Sequence, residues 1–181
     1  KLGREHETIW SAYLEKLVED HAGLVAAFDP AIPGTGKFAA MIRTGLANGS
    51  IKDSAMLSTQ HGHNEGGRTW MPGFAPSDGR GYTLELLGPF VENGTGGKKR
   101  LRVIGDYGKT KNGHSVLLRL NFNNFRVLFG GDLNLPAEKF LLMQYAGLTK
   151  WPTTSEGRET MIAAAKPFFR AEVMKVCHHG A

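Results

Sequence analysis

The sequence predicts an α/β fold of the α+β type, in which a mixed sheet carries flanking helices. Two apolar runs, Val116–Leu120 and Phe125–Phe129, are joined by a short polar turn that contains an Asn-Asn pair. This pattern is typical of an antiparallel hairpin. Two helices are expected after it, over Pro136–Gly147 and Thr154–Lys166, and the second of them is expected to end before Pro167. Strands followed by helices in this order favour a sheet with helices packed on a face.

Three further apolar runs complete the predicted sheet. Tyr82–Leu87 predicts a strand that a Gly-Pro pair ends. Leu101–Ile104 predicts a short strand after a glycine-rich turn, and Val173–Cys177 predicts a last strand that we expect to be buried.

The first 81 residues have a different character. Apolar residues at helical spacing predict one helix over residues 6–28. Phe38–Leu46 predicts a second helix, closed by an Asn-Gly pair, whereas residues 49–81 are rich in glycine, serine, histidine and proline and predict a long loop. We therefore expect residues 1–81 to be a helical and loop segment, serving as an insertion or a linking region. Residues 82–181 are expected to form the C-terminal part of a folded domain.

The composition fits one globular domain of ordinary size. The chain has 181 residues, of which 41% are hydrophobic and 22% are charged, and a net charge of +5. This charge allows an anionic substrate or a nucleic acid without requiring either. The single cysteine, Cys177, excludes a disulfide within the chain, and no apolar run approaches the roughly 18 residues of a membrane span. These features favour a cytoplasmic protein, and the start at Lys1 predicts a piece of a longer chain.

Potential metal ligands stand at the ends of three predicted strands. His114 precedes the first strand of the hairpin, Asp132 follows the second, and His178 and His179 follow the last strand. Imidazole nitrogens and carboxylate oxygens are common ligands of zinc. His114 and Asp132 are 18 residues apart across one hairpin. Because both ends of a hairpin lie at the same edge of a sheet, their side chains are expected to converge.

Each of these residues also has an ordinary structural explanation. Asp132 suits a cap on the helix that follows, His114 suits a surface turn, and the terminal histidines suit a frayed chain end. Adjacent histidines on an extended strand point to opposite faces, so one of His178 and His179 is expected to bind metal and the other to orient the site or contact a substrate. The combination, rather than any single residue, indicates a metal site.

Two further groups of polar residues are better explained as solvated surface. His61–Gly67 is an incomplete version of the metal motif His-x-His-x-Asp-His, because Glu65 replaces the aspartate and a glycine replaces the last histidine. A solvated loop is the favoured interpretation. Arg119, Arg126 and the basic run 98–100 are predicted to be solvated strand and turn positions, or together a basic surface.

Four stretches of the second half resemble the metallo-β-lactamase-fold hydrolases, most closely the metallo-hydrolase domain of competence-type DNA-uptake proteins. The stretches are Leu86–Pro89, Asn112–Leu120, Phe125–Asp132 and Ala171–Gly180. The resemblance covers roughly residues 82–180, and its order and spacing make the combination fairly specific. It implies a four-layer α/β/β/α sandwich with one or two metal ions at the edge of the sheets, usually zinc, with manganese as the alternative.

The resemblance also implies a role for each candidate ligand. Asp132 resembles the catalytic carboxylate that two metals share. His178 resembles the late histidine ligand, with His179 as the alternative, and His114 resembles the middle histidine ligand. The family's first ligand cluster has no good match in this chain and is expected upstream of Lys1.

The expected function is that of a metal-dependent hydrolase. A bound metal lowers the pKa of water and stabilises the charge that develops on the attacked centre. A small-molecule or nucleic-acid phosphodiester is the favoured substrate, and an ester, a lactone or an amide would use the same machinery. The alternative is a catalytically inactive domain of the same fold that binds nucleic acid or a protein.

Overall fold

Two β-sheets organise the chain in the computed structural model, which describes residues 4–7, 12–32 and 36–175. The described strands are β1 (Arg4–Glu7), β2 (Ala12–Glu15), β3 (His63–Glu65), β4 (Arg68–Trp70), β5 (Thr83–Gly88), β6 (Glu92–Asn93), β7 (Lys99–Arg102), β8 (Leu117–Phe122), β9 (Phe125–Phe129) and β10 (Val173–Lys175). The described α-helices are α1 (His21–Ala27), α2 (Lys37–Ala47), α3 (Tyr107–Gly113), α4 (Leu135–Tyr145) and α5 (Ser155–Phe169). The chain therefore has the mixed α/β character that the sequence predicts.

The larger sheet has six strands in the order β10-β9-β8-β5-β4-β3. β10 is parallel to β9 and the other neighbours are antiparallel, so the predicted mixed sheet is confirmed. The predicted hairpin lies near its middle, with Phe122 of β8 opposite Phe125 of β9. The two-residue turn between them holds Asn123 at a φ of 51°. Asparagine tolerates this left-handed conformation better than most residues do, which is why the polar turn predicts the hairpin correctly.

Helices α4 and α5 cover one face of this sheet. Leu117 of β8 and Leu128 of β9 pack with Phe140 of α4 in the main core. Phe168 and Phe169, at the end of α5, pack against the same cluster. Burying one such side chain stabilises the fold by roughly 1.5–3 kcal/mol relative to leaving it in water. This core therefore fixes both helices against the hairpin strands.

The opposite face of the same strands is apolar but exposed. Side chains alternate along a strand, so Phe122, Phe125 and Phe129 lie on the face away from the main core. Their exposed fractions are 51%, 47% and 40%. Leu118 and Leu120 continue this face and are half-buried. A contiguous exposed apolar patch of this kind marks a surface that another layer of structure would cover.

The smaller sheet is antiparallel and has the strand order β1-β2-β7-β6. Leu14 of β2 and Leu101 of β7 are opposite each other in the register and share a small core with Val91. The predicted helix over residues 6–28 is therefore wrong for most of the described part, because only His21–Ala27 is helical there. Pairing with a distant strand outweighs the helical spacing of the apolar residues, since propensity is a weak local preference.

Part of the loop predicted over residues 49–81 is a β-hairpin. β3 and β4 are antiparallel, and the two residues between them, Gly66 and Gly67, have φ values of 61° and 71°. Two successive positive φ values define the turn type that best suits a hairpin. Trp70 of β4 is buried and pairs with Glu85 of β5, so the hairpin extends the larger sheet. His63, Asn64, Gly66 and Gly67 are exposed, as a solvated segment predicts, but the loop assignment of His61–Gly67 is wrong because His63–Glu65 is a strand. The Gly-Gly pair is the signal that identifies the hairpin.

Helix α5 continues through Pro167 to Phe169, so the prediction that it ends before Pro167 is wrong. A proline inside a helix removes one backbone donor. The end of α5 is instead held by Arg119, whose Nη1 donates to the carbonyl oxygens of Pro167 and Phe168 at 3.0 and 2.6 Å. The side chain thereby ties the last turn of the helix to the sheet.

Arg119 is also part of a buried ion-pair network. It is 4% exposed and pairs with Glu85, which is 1% exposed and lies opposite it on β5. Arg68 Nη1 binds the other carboxylate oxygen of Glu85 at 2.5 Å. Burial lowers the pKa of Arg119 and the charge of Glu85 opposes this shift. The expected solvated position for Arg119 is wrong, because a carboxylate on the neighbouring strand compensates its charge.

The other predicted elements agree with the structure more closely. Phe38–Leu46, Tyr82–Leu87 and Pro136–Gly147 correspond to α2, β5 and α4, each shifted by at most two residues at an end. The strand predicted over Leu101–Ile104 is β7, which lies two residues earlier. None of the described helices combines the length and the apolar character needed to cross a bilayer.

The last strand differs from its prediction. β10 lies at the end of the larger sheet, and Val173 and Met174 are 48% and 51% exposed. The predicted burial is wrong for these residues, because β10 is an edge strand. Val176 and Cys177 lie outside the described residues.

Candidate functional site

The turn that carries Asp132 lies between β9 and α4 and is hydrogen-bonded to Ser115. The backbone N–H of Asp132 donates to Ser115 Oγ at 3.1 Å, and Ser115 Oγ donates to the carbonyl oxygen of Asn112 at 2.8 Å. Gly131 has a φ of 58°, and a Cβ at this position would lie 2.7 Å from Ser115 Cβ. The chain before β8 and the chain after β9 therefore meet at one edge, as the hairpin predicts.

The helix that follows this turn is not capped by Asp132. Its N-cap is Asn134, whose side chain accepts a hydrogen bond from the backbone N–H of Ala137 at 3.2 Å. The capping explanation of Asp132 is therefore wrong. Asp132 itself is half-buried and follows Gly131, where the close approach to Ser115 leaves no room for a side chain.

His114 ends α3, a short helix that the sequence does not predict. Asp106 caps the start of this helix by accepting a hydrogen bond from the Lys109 N–H at 2.9 Å. His114 is 7% exposed, so the surface-turn explanation is wrong. Its Nε2 is 2.7 Å from the carbonyl oxygen of Arg102.

This contact assigns the proton of the imidazole. A carbonyl oxygen only accepts, so Nε2 of His114 carries the hydrogen and Nδ1 carries the lone pair. Metal-binding histidines commonly hold their second nitrogen on an acceptor in this way. Burial holds the pKa of His114 below its ordinary value, although the bond to Arg102 and the charge of Glu92 oppose the shift. The arrangement keeps His114 neutral and is compatible with metal binding through Nδ1.

The burial of His114 predicts a loss of stability in acid. The unfolded chain protonates its histidines near pH 6.5, whereas folded His114 resists protonation until a lower pH. The free energy of unfolding of the metal-free protein should therefore fall as the pH drops from about 6.5 toward the folded pKa. Urea titrations at several pH values would measure this slope, which His114→Gln should reduce. An equal slope in the variant would contradict the assignment.

The end of the described chain lies beside the Asp132 turn. β10 runs parallel to β9 with Lys175 opposite Phe129, and Lys175 Nζ donates to the carbonyl oxygen of Gly131 at 3.3 Å. His178 and His179 lie outside the described residues, so their ligand roles stay predictions.

The described part of this edge holds an incomplete donor set for a metal. Across residues 4–7, 12–32 and 36–175, no group of three or more His, Cys, Asp or Glu side chains could hold a metal ion. Asp132 and His114 stand on adjoining segments, whereas a catalytic zinc site commonly has three protein ligands. A complete site would therefore need donors from outside the described residues.

A second polar cluster, which the sequence does not reveal, lies beside the smaller sheet. Ser58 Oγ is 2.6 Å from His61 Nδ1, and His61 Nε2 is 2.8 Å from Glu19 Oε2. Lys99 Nζ lies 3.3 Å from the same carboxylate oxygen. The hydrogen bond from His61 holds the pKa of Glu19 below its ordinary value. The order of these groups is that of a serine-histidine-carboxylate chain.

Burial decides what this cluster does. Ser58 is 0% exposed, and its Oγ also accepts a hydrogen bond from the Gln60 N–H at 3.1 Å. A nucleophile must reach the substrate carbonyl, and this hydroxyl is closed off from solvent. The cluster instead ties the loop around Ser58 to the chain after β2 and to β7. Its members come from distant parts of the sequence, which is why spacing alone does not identify them.

Comparisons of the whole chain with family models, with curated proteins and with solved structures gave no match. The resemblance to the metallo-β-lactamase-fold hydrolases therefore rests on the motifs of this sequence.

Proposed function

We propose that this chain is the later part of a metallo-β-lactamase-type domain that hydrolyses a phosphodiester or a related anionic substrate with a metal-activated water. Asp132 would be the shared carboxylate ligand, His178 or His179 the late histidine and His114 the middle histidine. The proposal is carried by one observation, the parallel pairing of β10 with β9 beside the Asp132 turn.

The register of that pairing supports a position of Asp132 and His178 close to each other. Two parallel strands leave a sheet at the same edge. Asp132 is three residues beyond Phe129, and His178 is three residues beyond Lys175, the residue opposite Phe129. The two residues therefore follow the paired strands at the same edge of the sheet and after the same number of residues. The bond from Lys175 to Gly131 fits a last strand that is already held at this turn.

The exposed apolar face of the larger sheet supports the finer architecture. A four-layer sandwich packs two sheets face to face and places helices outside them. Here α4 and α5 cover one face of the hairpin strands, while Phe122, Phe125 and Phe129 leave the other face apolar and exposed. A second sheet packed on these side chains would give the α/β/β/α order.

The chemistry would divide between the metal and the chain. A bound zinc ion would supply hydroxide at neutral pH, because it lowers the pKa of its water to about 7. Asp132, as a carboxylate, would coordinate the cation and partly neutralise its charge. His114 would stay neutral through burial and offer Nδ1, with Nε2 fixed on the Arg102 carbonyl.

The test is metal content and hydrolysis measured on the full-length protein. We expect near-stoichiometric zinc and hydrolysis of bis(p-nitrophenyl) phosphate in the presence of zinc or manganese. Asp132→Asn keeps the shape of the side chain and removes its charge, so it should lower the metal affinity and the rate by about 100-fold or more, since even indirect supports of a metal site cost 10–100-fold. Unchanged metal content and rate in this variant would rule out Asp132 as a ligand.

Asp106→Asn is the matched control, because Asp106 is an exposed helix cap on α3 and an asparagine still caps there. It should leave both measurements unchanged. A folded protein that holds no metal, hydrolyses nothing and binds nucleic acid would instead favour the inactive binding domain.

A further inference from the structure

A cleft of about 480 Å³ lies between β7 and α4. This volume is within the roughly 300–1,000 Å³ of small-molecule sites. Its apolar floor includes Ile104 and Phe140, which are each 6% exposed, and its rim includes Arg102, Lys139 and Trp151. We name it the β7–α4 cleft.

Arg102 is held in a fixed orientation on one wall. Its Nε and Nη2 donate to the two carboxylate oxygens of Glu92 at 3.0 and 2.6 Å. The guanidinium lies 5.4 Å from the centroid of the Phe140 ring. The hydrogen bonds that Arg102 donates to Glu92 raise the pKa of Arg102. Within the described residues, Nη1 has no hydrogen-bond partner, so a preorganised cation presents unused donors beside an aromatic ring.

Lys139 and Trp151 form a second pair of cation and ring on the rim. Lys139 Nζ lies 5.2 Å from the centroid of the indole. With Arg102 and Lys139 positive and Glu92 negative, the charged residues of the cleft sum to one positive charge. The other polar groups, Gln144 and Thr149, are neutral hydrogen-bonding side chains.

We propose that the β7–α4 cleft binds a small aromatic molecule that carries one anionic group, such as a nucleoside monophosphate or an aromatic carboxylate. The ring would lie against Trp151 and Phe140, where apolar area and stacking favour a flat molecule. The phosphate or carboxylate would accept from Lys139 and from Nη1 of Arg102, because charge-assisted hydrogen bonds are the strong ones. Neither His114 nor Asp132 lines this cleft, although the Arg102 carbonyl accepts a hydrogen bond from His114 Nε2. The inference does not depend on the proposed function.

The test is calorimetric titration of the metal-free protein with two matched pairs of probes. AMP and adenosine differ by the phosphate, whereas indole-3-acetate and tryptamine carry one ring with opposite charges. We expect at least one anion to bind about tenfold or more tightly than its partner, because one charge-assisted bond is worth that much. The stronger of the two anions identifies the phosphate or the carboxylate as the preferred group.

Three substitutions locate the site. Lys139→Gln and Trp151→Ala should each weaken binding of the preferred anion by about tenfold. Lys166→Gln removes the same charge from an exposed position on α5 that does not line the cleft, and should leave binding unchanged. Circular dichroism would establish that Lys139→Gln, an exchange on the surface of α4, keeps the fold. The proposal is overturned if no probe binds at millimolar concentration, if the anions and their partners bind equally, or if Lys139→Gln binds like the unaltered protein.

Discussion

Replacing Arg119 with methionine is expected to lower the free energy of unfolding by about 3–5 kcal/mol. Arg119 donates to Glu85 and to two carbonyl groups at the end of α5. Its loss leaves Glu85, which is 1% exposed, with Arg68 as its remaining ion-pair partner. It also leaves the carbonyls of Pro167 and Phe168 without their donor. A buried charge that loses its partner costs more than the pair contributed, so the effect should be large.

Urea denaturation followed by circular dichroism would measure this loss. Arg126→Met is the matched control, because Arg126 on β9 pairs with Glu172, the residue before β10, nearer the surface. It should change the midpoint far less, since exposed pairs are screened by water and salt. Equal losses in the two variants would contradict the role assigned to Arg119.

A double variant separates the charge from the packing. Glu85→Leu combined with Arg119→Met removes both buried charges and keeps apolar volume at each position. It should be more stable than Arg119→Met alone, because replacing a whole buried pair is often neutral. Any stability still missing reports the carbonyl groups at the end of α5, which lose their donor, together with Arg68, which loses Glu85.

Gly131→Ala is expected to lower the free energy of unfolding by about 2–5 kcal/mol. The left-handed φ of 58° costs an L-residue about 1–2 kcal/mol. The new Cβ would also lie 2.7 Å from Ser115 Cβ, and overpacking of this kind adds about 1–3 kcal/mol. Because the next residue is Asp132, the same change should weaken zinc binding if the proposed function is correct.

Gly147→Ala provides the comparison. Gly147 has a φ of 69°, and a Cβ there would meet no atom within 4 Å, so it carries the conformational cost without the clash. Gly131→Ala should therefore be clearly the more destabilising in thermal or urea denaturation. Ser115→Gly removes the opposing Cβ, so the combined variant should lose less than the sum of the single losses. Strict additivity would show that the turn and Ser115 are not in contact in solution.

The sequence predicts those elements whose causes are local. The β8–β9 hairpin follows from two apolar runs and an Asn-Asn turn, and α4 follows from Pro136 at its start and Gly147, whose positive φ ends it. α3 is missed because Tyr107–Gly113 is polar and lacks an apolar stripe, so that its cap, Asp106, is its main signal. β2 is missed because its partner strand lies far along the chain.

In the candidate site too, the sequence predicts only what has a local cause. Hairpin geometry places the segments of His114 and Asp132 at one edge, and Ser115 joins them. The burial of His114 and its bond to the Arg102 carbonyl depend on where β7 packs, which spacing within the hairpin does not contain. The sequence does not predict the burial of Arg119 for the same reason, because its counter-charge, Glu85, belongs to another strand.

The edge position of β10 has a consequence for how the protein would hold a cation. Within the described residues, β10 pairs with β9 alone and its side chains are exposed. Detachment of such an edge strand requires only a small fraction of the free energy of global unfolding. In the proposed site, Asp132 follows β9 and the histidines follow β10, so detachment of this strand would separate the ligands. Pairing of β10 with β9 and metal binding would then be one linked equilibrium. The bound ion would stabilise the pairing, and removal of the metal would favour detachment of β10 from the sheet.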